Sequence, residues 1–166
     1  MNFRDAGPAD AAAIDRIFRT SFCDTFAHIY REEDLHAFLA DFTLEAWEAE
    51  LADTTFAFRI AEAGEPAGFV KLAPLKLPVE TDAPAIELRQ LYVLKEHHGA
   101  GIAAQLMDWA FGEARRRGAE ELYLTVYVEN HRARRFYQRY NFVPVGRYDF
   151  MVGSHVDEDI ILRKSL

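Results

Sequence analysis

The turn at residues 98–104, His-Gly-Ala-Gly-Ile-Ala-Ala, joins an apolar strand pattern to a helical pattern. Glycine-containing turns in this position bind anions, because they expose backbone N–H groups at the positive end of a helix. We therefore expect an anionic ligand here, such as a phosphate. The residue types alone leave three interpretations of the turn open.

A dinucleotide-binding loop is the first interpretation, since Gly99–Ala104 contain the pattern G-x-G-x-x-A. It fits poorly, because Lys95–His98 separate the first glycine from the strand and too few residues follow for further strand–helix units. The second, a nucleoside triphosphate P-loop, would need a G-K-[ST] sequence that the turn lacks. The third is a plain turn whose glycines serve only the backbone conformation.

The elements around this turn follow from hydrophobic periodicity, which separates helices from alternating strands. The expected helices cover 11–27, 31–40, 44–52, 100–117 and 131–140. The expected strands cover 1–5, 55–61, 67–73, 85–94, 121–128, 142–149 and 157–163. This order predicts a single mixed α/β (α+β) domain over 1–166, with a mainly antiparallel sheet and one strand–helix–strand crossover at 85–128.

Composition excludes several classes of function. The net charge of −8 argues against a general nucleic-acid binder, which would carry a basic stripe, and suits a cationic substrate. Cys23 is the only cysteine, so an intrachain disulfide or a cysteine-based metal site is impossible. His97 and His98 have no third ligand nearby in the sequence, and we expect no metal.

Targeting signals are also missing from the sequence. No apolar run approaches the length of a transmembrane helix, and no basic segment followed by an apolar run marks a secretory signal. We expect no membrane partner and a cytoplasmic location.

The segment from Ile86 to Phe142 resembles the GNAT superfamily of N-acetyltransferases in three stretches that occur in the family's order. Residues 87–93, Glu-Leu-Arg-Gln-Leu-Tyr-Val, resemble the family's central strand. Residues 98–103 match its pyrophosphate loop, [Q/R]-x-x-G-x-[G/A], with Gly101 and Ala103 at the last two defined positions. Asn130 and residues 133–142 resemble its N-x-x-A-x-x-F-Y-x-x-G-F run.

Two positions depart from the family pattern. His98 replaces the usual glutamine or arginine, which weakens a side-chain contact but leaves the backbone loop intact. Asn141 replaces the usual glycine, and asparagine tolerates the left-handed conformation better than most residues. Within the superfamily the sequence is most similar to bacterial spermidine/spermine N-acetyltransferases, including residues 21–26 and the segment from Gly146 to Leu166.

The resemblance implies a fold and a donor. The fold would be a twisted, mostly antiparallel sheet of about seven strands with a splayed central pair, flanked by about four helices. The donor would be acetyl-CoA, with its pyrophosphate on the amides between Gly99 and Ala104. The backbone of Tyr92, Val93 and Leu94 would pair with the pantetheine arm, and one N–H there would polarise the thioester carbonyl.

Two polar side chains would act on the donor. Tyr137 would protonate the departing thiolate, since a phenol of pKa about 10 keeps its proton at neutral pH. The alternative is that Phe136, Tyr137 and Tyr140 are the packing face of a short helix. The resemblance implies that Asn130 contacts the coenzyme A arm, whereas its position between a strand and a helix also makes it a good N-cap.

Two acidic side chains are candidates for the amine acceptor. Glu87 could remove a proton from the ammonium, but it could also pair with Arg89 or another cation. Simple alternation would put Glu87, Arg89, Leu91 and Val93 on one face of the strand. Some relatives carry a glutamate where Thr125 stands here. Asp24 interrupts an apolar helix and is the candidate substrate-binding residue.

The sequence therefore predicts direct acetyl transfer from acetyl-CoA to a primary amine in a ternary complex. The favoured acceptor is a small molecule, spermidine or spermine. Another small amine, an amino acid or a protein N-terminus is the alternative acceptor. A non-catalytic acyl-CoA sensor on the same fold is the alternative function, and a homodimer through the terminal strands is a possible assembly.

Overall fold

One seven-stranded sheet organises the protein, and its strands lie in the order β1-β2-β3-β4-β5-β7-β6. The computed structural model describes all 166 residues. The strands are β1 (Asn2–Asp5), β2 (Ala57–Ala63), β3 (Glu65–Pro74), β4 (Ala85–Val93), β5 (Glu121–Tyr127), β6 (Val143–Val152) and β7 (His155–Ser165). The helices are α1 (Ala11–Phe26), α2 (Glu32–Ala40), α3 (Leu44–Ala52), α4 (Ile102–Arg116) and α5 (His131–Arg139). The expected fold class is confirmed, with the five helices that the periodicity predicts and not the four or so that the resemblance implies.

Each face of the sheet has its own hydrophobic core. On one face α4 packs through Ile102, Leu106 and Met107, which recur at the spacing of a helical stripe. On the other face α1 packs through Ile14, Ile17 and Phe18, joined by Trp47 of α3. The two cores cover the sheet on both sides, so a ligand can reach its middle only where strands or helices separate. None of the helices combines the length and the apolar character that crossing a bilayer requires.

The sheet opens between its two parallel strands. β4 and β5 pair only from Ala85↔Glu121 to Glu87↔Tyr123, and all other neighbours are antiparallel. Beyond Glu87 the edge of β4 has no partner strand on the β5 side, which leaves backbone groups free at the centre of the sheet. The expected splay is present, but it begins after Glu87 rather than near Tyr92–Leu94.

A β-bulge in β4 changes which residues face which core. Lys71 and Leu72 are adjacent in β3, yet they pair with Gln90 and Leu88, so Arg89 has no partner. A bulge of this kind inserts one residue and reverses the alternation of side chains beyond it. Leu88 before the bulge and Leu91 after it accordingly contact the same core, on the α4 side. The expected single face of Glu87, Arg89, Leu91 and Val93 is therefore wrong.

Candidate active site

In the turn before α4, most backbone N–H groups form no hydrogen bond with the rest of the backbone. Gly99 and Gly101 adopt φ values of 82° and 81°, in the left-handed region that L side chains rarely enter. This geometry leaves the N–H groups of Gly99, Gly101, Ile102, Ala103 and Ala104 without a backbone hydrogen bond. The result is a row of donors at the positive end of α4, as an anion site requires.

The ends of this row differ slightly from the sequence prediction. The helix begins at Ile102 instead of residue 100, and Gln105 N–H donates to Gly101 O at 3.2 Å. Ala100 N–H donates to His97 O at 3.4 Å, so Ala100 does not contribute a free donor.

The free amides line a cavity of about 570 Å³ on the α4 and α5 side of the sheet, which we call the amide cavity. It is formed by the loop before α4, the end of β4, one side of α5 and three residues of α1, Ser21, Thr25 and Phe26. Three arginines of α5, Arg132, Arg135 and Arg139, line it as well. Amides and guanidinium groups together give this cavity a positive potential that favours a polyanionic ligand.

His98 fastens this loop to its surroundings. Its Nδ1 lies 2.6 Å from Arg132 Nη1, and its Nε2 lies 2.9 Å from Val93 O. Because an arginine only donates, Nδ1 is the acceptor, and the ring proton sits on Nε2, where it donates to Val93 O. The ring therefore joins the end of β4 to α5.

A second cavity, of about 370 Å³, lies on the other face of the sheet, and we call it the aromatic cavity. Its roof comes from residues 18–42 and its floor from β4, β5 and β7. Aromatic rings dominate its lining, which includes Phe18, Phe22, Phe26, Tyr30, Phe38, Phe42, Tyr92, Tyr127, Tyr137 and Phe150. Its polar lining includes Gln90, Asp157 and Asp159, with Lys71, Arg89 and Glu50.

The two cavities meet at the opening between β4 and β5. Six residues line both of them, namely Phe26, Leu91, Tyr92, Asn130, Ala133 and Tyr137. The only titratable side chains among these six are the phenols of Tyr92 and Tyr137. A group entering from the amide cavity can therefore meet a group from the aromatic cavity in the middle of the sheet.

Tyr137 stands at this junction with its proton firmly held. Its residue is 9% exposed, and burial alone raises the pKa of its hydroxyl to about 12. A phenol of this kind stays protonated at neutral pH, so it can donate its proton as a hydrogen bond or as an acid and cannot serve as a base. The same ring also packs against Phe136 and Phe142, so the expected packing role and the placement at the junction coexist.

Comparison with known proteins decides what kind of site this is. Residues 16–142 match the acetyltransferase (GNAT) family. The chain belongs to that family. An uncharacterized N-acetyltransferase of Mycobacterium bovis is 35% identical over 88 residues, which is 53% of this chain and 56% of that protein. The chain thus spans little more than half the length of this relative.

Two further similarities extend over almost the whole chain. An uncharacterized N-acetyltransferase of Lactobacillus delbrueckii subsp. lactis is 28% identical over 153 residues, covering 90% of this chain and 88% of that protein. The crystal structure of the PaiA N-acetyltransferase from Thermoplasma acidophilum in complex with coenzyme A superposes with a TM-score of 0.79. Its identity is 23%, with 99% of this chain and 98% of that chain covered, so this similarity shows the shared GNAT fold.

Most of the residues expected at a GNAT donor site line the amide cavity. They are Tyr92, Val93, His98, Gly99, Gly101, Ile102, Ala103, Ala104 and Asn130. Leu94 and Ala100 do not. Leu94 is buried in the α1 core, and its N–H donates to Ala67 O at 2.8 Å, so it is not free for a ligand.

Asn130 and Asn141 combine local backbone roles with the GNAT pattern. Asn130 Oδ1 accepts from Ala133 N at 3.3 Å as the N-cap of α5, while the residue lines both cavities. The cap is therefore confirmed, and it places the asparagine side chain at the opening of the sheet. Asn141 has a φ of 65°, the left-handed conformation expected for a residue in the place of the family's glycine.

The two acidic candidates lie away from the junction. Glu87 is buried, with Oε2 2.9 Å from Arg89 Nε and Oε1 accepting from Lys76 N at 3.1 Å, and it lines neither cavity. This is the structural alternative, in which Glu87 pairs with Arg89. Asp24 is exposed on α1 and also lines neither cavity.

The acidic pair on β7 is more buried than its sequence suggests. Asp157 and Asp159 belong to a set of acids that could bind a polyamine and of which most are expected at the surface, yet they are 4% and 6% exposed. The sequence does contain one indication of this burial. Residues two apart in a strand have side chains on the same face, so Asp157 and Asp159 share a face of β7 with the apolar Ile161. His97 and His98 lie beside the loop, and no group of three or more His, Cys, Asp or Glu side chains is arranged to hold a metal ion.

Proposed function

We propose that the protein transfers an acetyl group from acetyl-CoA to a primary amine in a ternary complex. The observation that carries the proposal is the meeting of a positively charged cavity and an acid-lined cavity at Tyr137, through the opening between β4 and β5. An anionic donor and a cationic acceptor would enter from opposite faces of the sheet. Their reacting groups would meet without a covalent acetyl-enzyme.

The residues of the amide cavity fit coenzyme A. The free amides from Gly99 to Ala104 suit its pyrophosphate, since successive N–H groups in a left-handed turn surround phosphate oxygens. Arg132, Arg135 and Arg139 supply further positive charge for phosphate groups. The unpaired edge of β4 beyond Glu87 can take the pantetheine arm as an added strand.

Tyr137 is the proposed general acid. Transfer expels a thiolate, and a buried phenol with a pKa of about 12 keeps the proton that this thiolate needs. The lining of both cavities by this residue is the support for the role.

A polyamine such as spermidine or spermine is the proposed acceptor. The net charge of −8 and the carboxylates of Asp157 and Asp159 in the aromatic cavity favour a cationic ligand. The ten aromatic rings that line this cavity favour an amine with an apolar stretch as the alternative. A panel of spermidine, 2-phenylethylamine, free amino acids and a peptide with a free N-terminus separates these classes.

The experiment combines binding and turnover on the full chain. Coenzyme A at about 100 times its Kd should stabilise the protein by about 2.7 kcal/mol, which a thermal shift detects. Free thiol released from acetyl-CoA in the presence of each amine measures transfer. Stabilisation without thiol release from any amine would favour the sensor, and absence of both would refute the proposal.

A matched pair of glycine variants locates the donor site. Gly101 and Gly118 flank α4 with φ values of 81° and 84°, and neither has a neighbour within 4 Å of an added Cβ. Gly101→Ala and Gly118→Ala therefore introduce the same backbone strain at opposite ends of one helix. Only Gly101→Ala should weaken coenzyme A binding, because only that methyl group enters the amide cavity.

Two expectations stay predictions. Assembly into a homodimer would be read from the mass in solution by light scattering, with the edge strand β6 as one exposed strand. A cytoplasmic location would be read by fractionation of the producing cell.

A further inference from the structure

The acidic pair on β7 is buried without a cationic partner. Asp157 and Asp159 face the aromatic cavity. Neither forms an ion pair with a lysine or an arginine, and the basic side chain beside them is the imidazole of His155, with Nε2 3.1 Å from Asp157 Oδ1. Burying an uncompensated carboxylate is costly, and burying two side by side is more so. A positively charged ligand that binds between the two carboxylates would explain why both are buried.

Unpartnered polar atoms in the same cavity point to such a ligand. Asp157 Oδ1 is buried and has no hydrogen bond, because His155 lies near it without the alignment that a hydrogen bond requires. Gln90, 9% exposed on the neighbouring part of the floor, likewise leaves Oε1 buried and without a partner. Both atoms are acceptors, so the missing group is a donor, and buried acceptors of this sort normally have one.

The walls of the cavity suit a donor that carries positive charge. Phe22, Phe26 and Tyr30 lie on the roof above the floor strands, and aromatic faces attract cations. Tyr30 is fixed over the pair by the hydrogen bond from its hydroxyl to Asp157 Oδ2. An ammonium group offers three N–H donors and one positive charge, which matches two carboxylates and an amide oxygen.

We propose that Asp157 and Asp159 bind the ammonium group of the acceptor, and that Asp159 then takes one of its protons. The proposal rests on the proposed acetyl transfer and adds a base that this activity needs. Asp159 is preferred as the base, because Asp157 already accepts the hydrogen bond from Tyr30. Tyr92 connects the pair to the junction, since it lines the aromatic cavity together with Asp157 and Asp159 and also lines the amide cavity.

The step is balanced in protons and electrons. One N–H bond of R–NH₃⁺ breaks, and its proton moves to Asp159, which leaves a neutral carboxylic acid and a free amine. The nitrogen lone pair forms the C–N bond to the acetyl carbon as the C–S bond breaks, and the sulfur takes the Tyr137 proton. The second proton of the former amine restores Tyr137, and Asp159 releases its proton to water.

The electrostatics of the cavity supports Asp159 as a base near neutral pH. Burial, and then the charge of Asp157, raise the pKa of the Asp159 carboxyl to about 7, while Thr125 opposes the shift. A base whose pKa lies near the working pH is the most effective. The other titratable or charged groups around Asp159 are Asp157, His155, Tyr30, Tyr92, Tyr127, Tyr148 and Tyr137, with Lys71, Arg89 and Glu50 lining the same cavity.

Cation binding tests the pair without any turnover. The probe is 2-phenylethylammonium, which offers the three N–H donors that the pair would bind and cannot react without an acetyl donor, titrated into the full chain by calorimetry in the absence of acetyl-CoA. The variants are Asp157→Asn and Asp159→Asn, with Glu158→Gln as the matched control, because Glu158 is an exposed acid between them on the same strand. We expect each asparagine variant to weaken binding at least tenfold, and the control to bind as the wild type does. Equal binding by all four proteins overturns the proposal.

Turnover and its pH dependence test the proton transfer. With spermidine and with 2-phenylethylamine, kcat/KM of the wild type should rise with pH to a plateau above about 7. Asp159→Asn should lower kcat by about 10²–10⁴-fold, the usual contribution of a general base. It should also abolish the rise of kcat/KM with pH, even though the basic side chain of His155 is still present beside Asp157. Asp159→Glu should restore part of the rate, and Asp157→Asn should mainly raise KM.

The outcomes separate this inference from the proposed function. If acetyl-CoA and either amine release thiol at the wild-type rate in Asp159→Asn, the transfer stands and the base assignment is wrong. If the wild type binds 2-phenylethylammonium through the pair but acetylates no amine, the cation site stands and the transfer is wrong. Unaltered thermal stabilisation by coenzyme A in each variant shows that the amide cavity is intact.

Discussion

The amide cavity and the aromatic cavity are built in opposite ways. The first depends on the backbone of one short stretch, where Gly99 and Gly101 turn a row of N–H groups outward. The second depends on side chains that α1, α2, β4, β5 and β7 bring together from distant parts of the chain. A backbone site tolerates most substitutions that keep its turn, whereas a side-chain site changes with nearly every substitution. The donor side can thus stay constant while the acceptor side diverges.

The two cavities also differ in charge. Arginines of α5 surround the free amides, while carboxylates of β7 form the floor of the aromatic cavity. Although the net charge of the protein is −8, the amide cavity carries a local excess of positive charge, which is where the phosphates of the proposed donor would bind. The opposite electrostatic potentials of the two cavities would attract the anionic donor to one face of the sheet and the cationic acceptor to the other, and their reacting groups would meet at Tyr137.

Removing the Tyr137 hydroxyl tests the junction of the two cavities and carries the largest expected effect. Tyr137→Phe should lower kcat by about 10²–10⁴-fold, because it removes the proposed acid and leaves both linings in place. Thiol release measures the rate, and coenzyme A should still raise the melting temperature. Tyr140→Phe is the control, since Tyr140 lies three residues further along the chain and lines neither cavity. Equal activity of the two variants would retire the general-acid role.

Disturbing the roof tests whether the aromatic cavity can fail alone. Gly153 follows β6 with a φ of 57°, and an added Cβ would lie 2.6 Å from Asp34 Cα in α2. Gly153→Ala should therefore cost about 2–3 kcal/mol of unfolding free energy, through strain and overpacking. Amine KM should rise, while coenzyme A affinity stays constant.

The control for this change is Gly64→Ala in the β2–β3 turn, where φ is 85° but no atom lies within 4 Å of the added Cβ. It introduces strain without a clash, so its cost should be about 1 kcal/mol. Chemical denaturation of both variants gives the difference. If Gly153→Ala lowers the free energy of unfolding no more than Gly64→Ala does, α2 shifts to accommodate the added methyl group at little cost.

The pH dependence of stability probes the charge of the aromatic cavity. Because the folded protein raises the pKa of Asp159 from 3.8 to about 7, the fold holds a proton there that the unfolded chain has lost. The free energy of unfolding should therefore fall as pH rises from about 4 to about 7, by on the order of 4 kcal/mol from this group at about 1.4 kcal/mol per pKa unit, and then level off. Urea denaturation across this range measures it. Asp159→Asn should remove this part of the slope, and an unchanged slope would contradict the assignment.

The smallest expected effect concerns the amide cavity. His98→Ala removes the ring that joins Val93 O to Arg132. Because the amides themselves remain, coenzyme A affinity should fall only about fivefold, the equivalent of one net hydrogen bond of about 1 kcal/mol. Isothermal titration measures it. A loss of a hundredfold or more would show that side chains, and not the backbone, dominate this cavity.

This contrast explains which parts of the structure could be predicted from the sequence. The glycine turn and the N-cap at Asn130 are local, since their residue types limit the backbone within a few positions. The element order was equally local, because apolar periodicity separates α4 from β4 and β5. Those predictions name about half of the residues that line the amide cavity, including the whole row of free amides.

The remaining features depend on contacts between distant segments. The bulge at Arg89 is set by the pairing of β4 with β3, and no pattern within β4 shows it. It puts Leu91 on the same face as Leu88, while Gln90 and Tyr92 line the aromatic cavity. The burial of Asp157 and Asp159 depends on Tyr30 and the roof, which lie more than a hundred residues earlier in the chain.

The roof of the aromatic cavity comes from one uninterrupted stretch, residues 18–42, laid over a floor that belongs to the sheet. Such a stretch can be exchanged as a cassette. A chimaera carrying the corresponding segment of another GNAT protein, with Ser21, Thr25 and Phe26 retained because they also line the amide cavity, would keep the free amides and the β7 acids while acquiring new walls. Acceptor range in this scaffold is therefore open to laboratory grafting of a single continuous peptide.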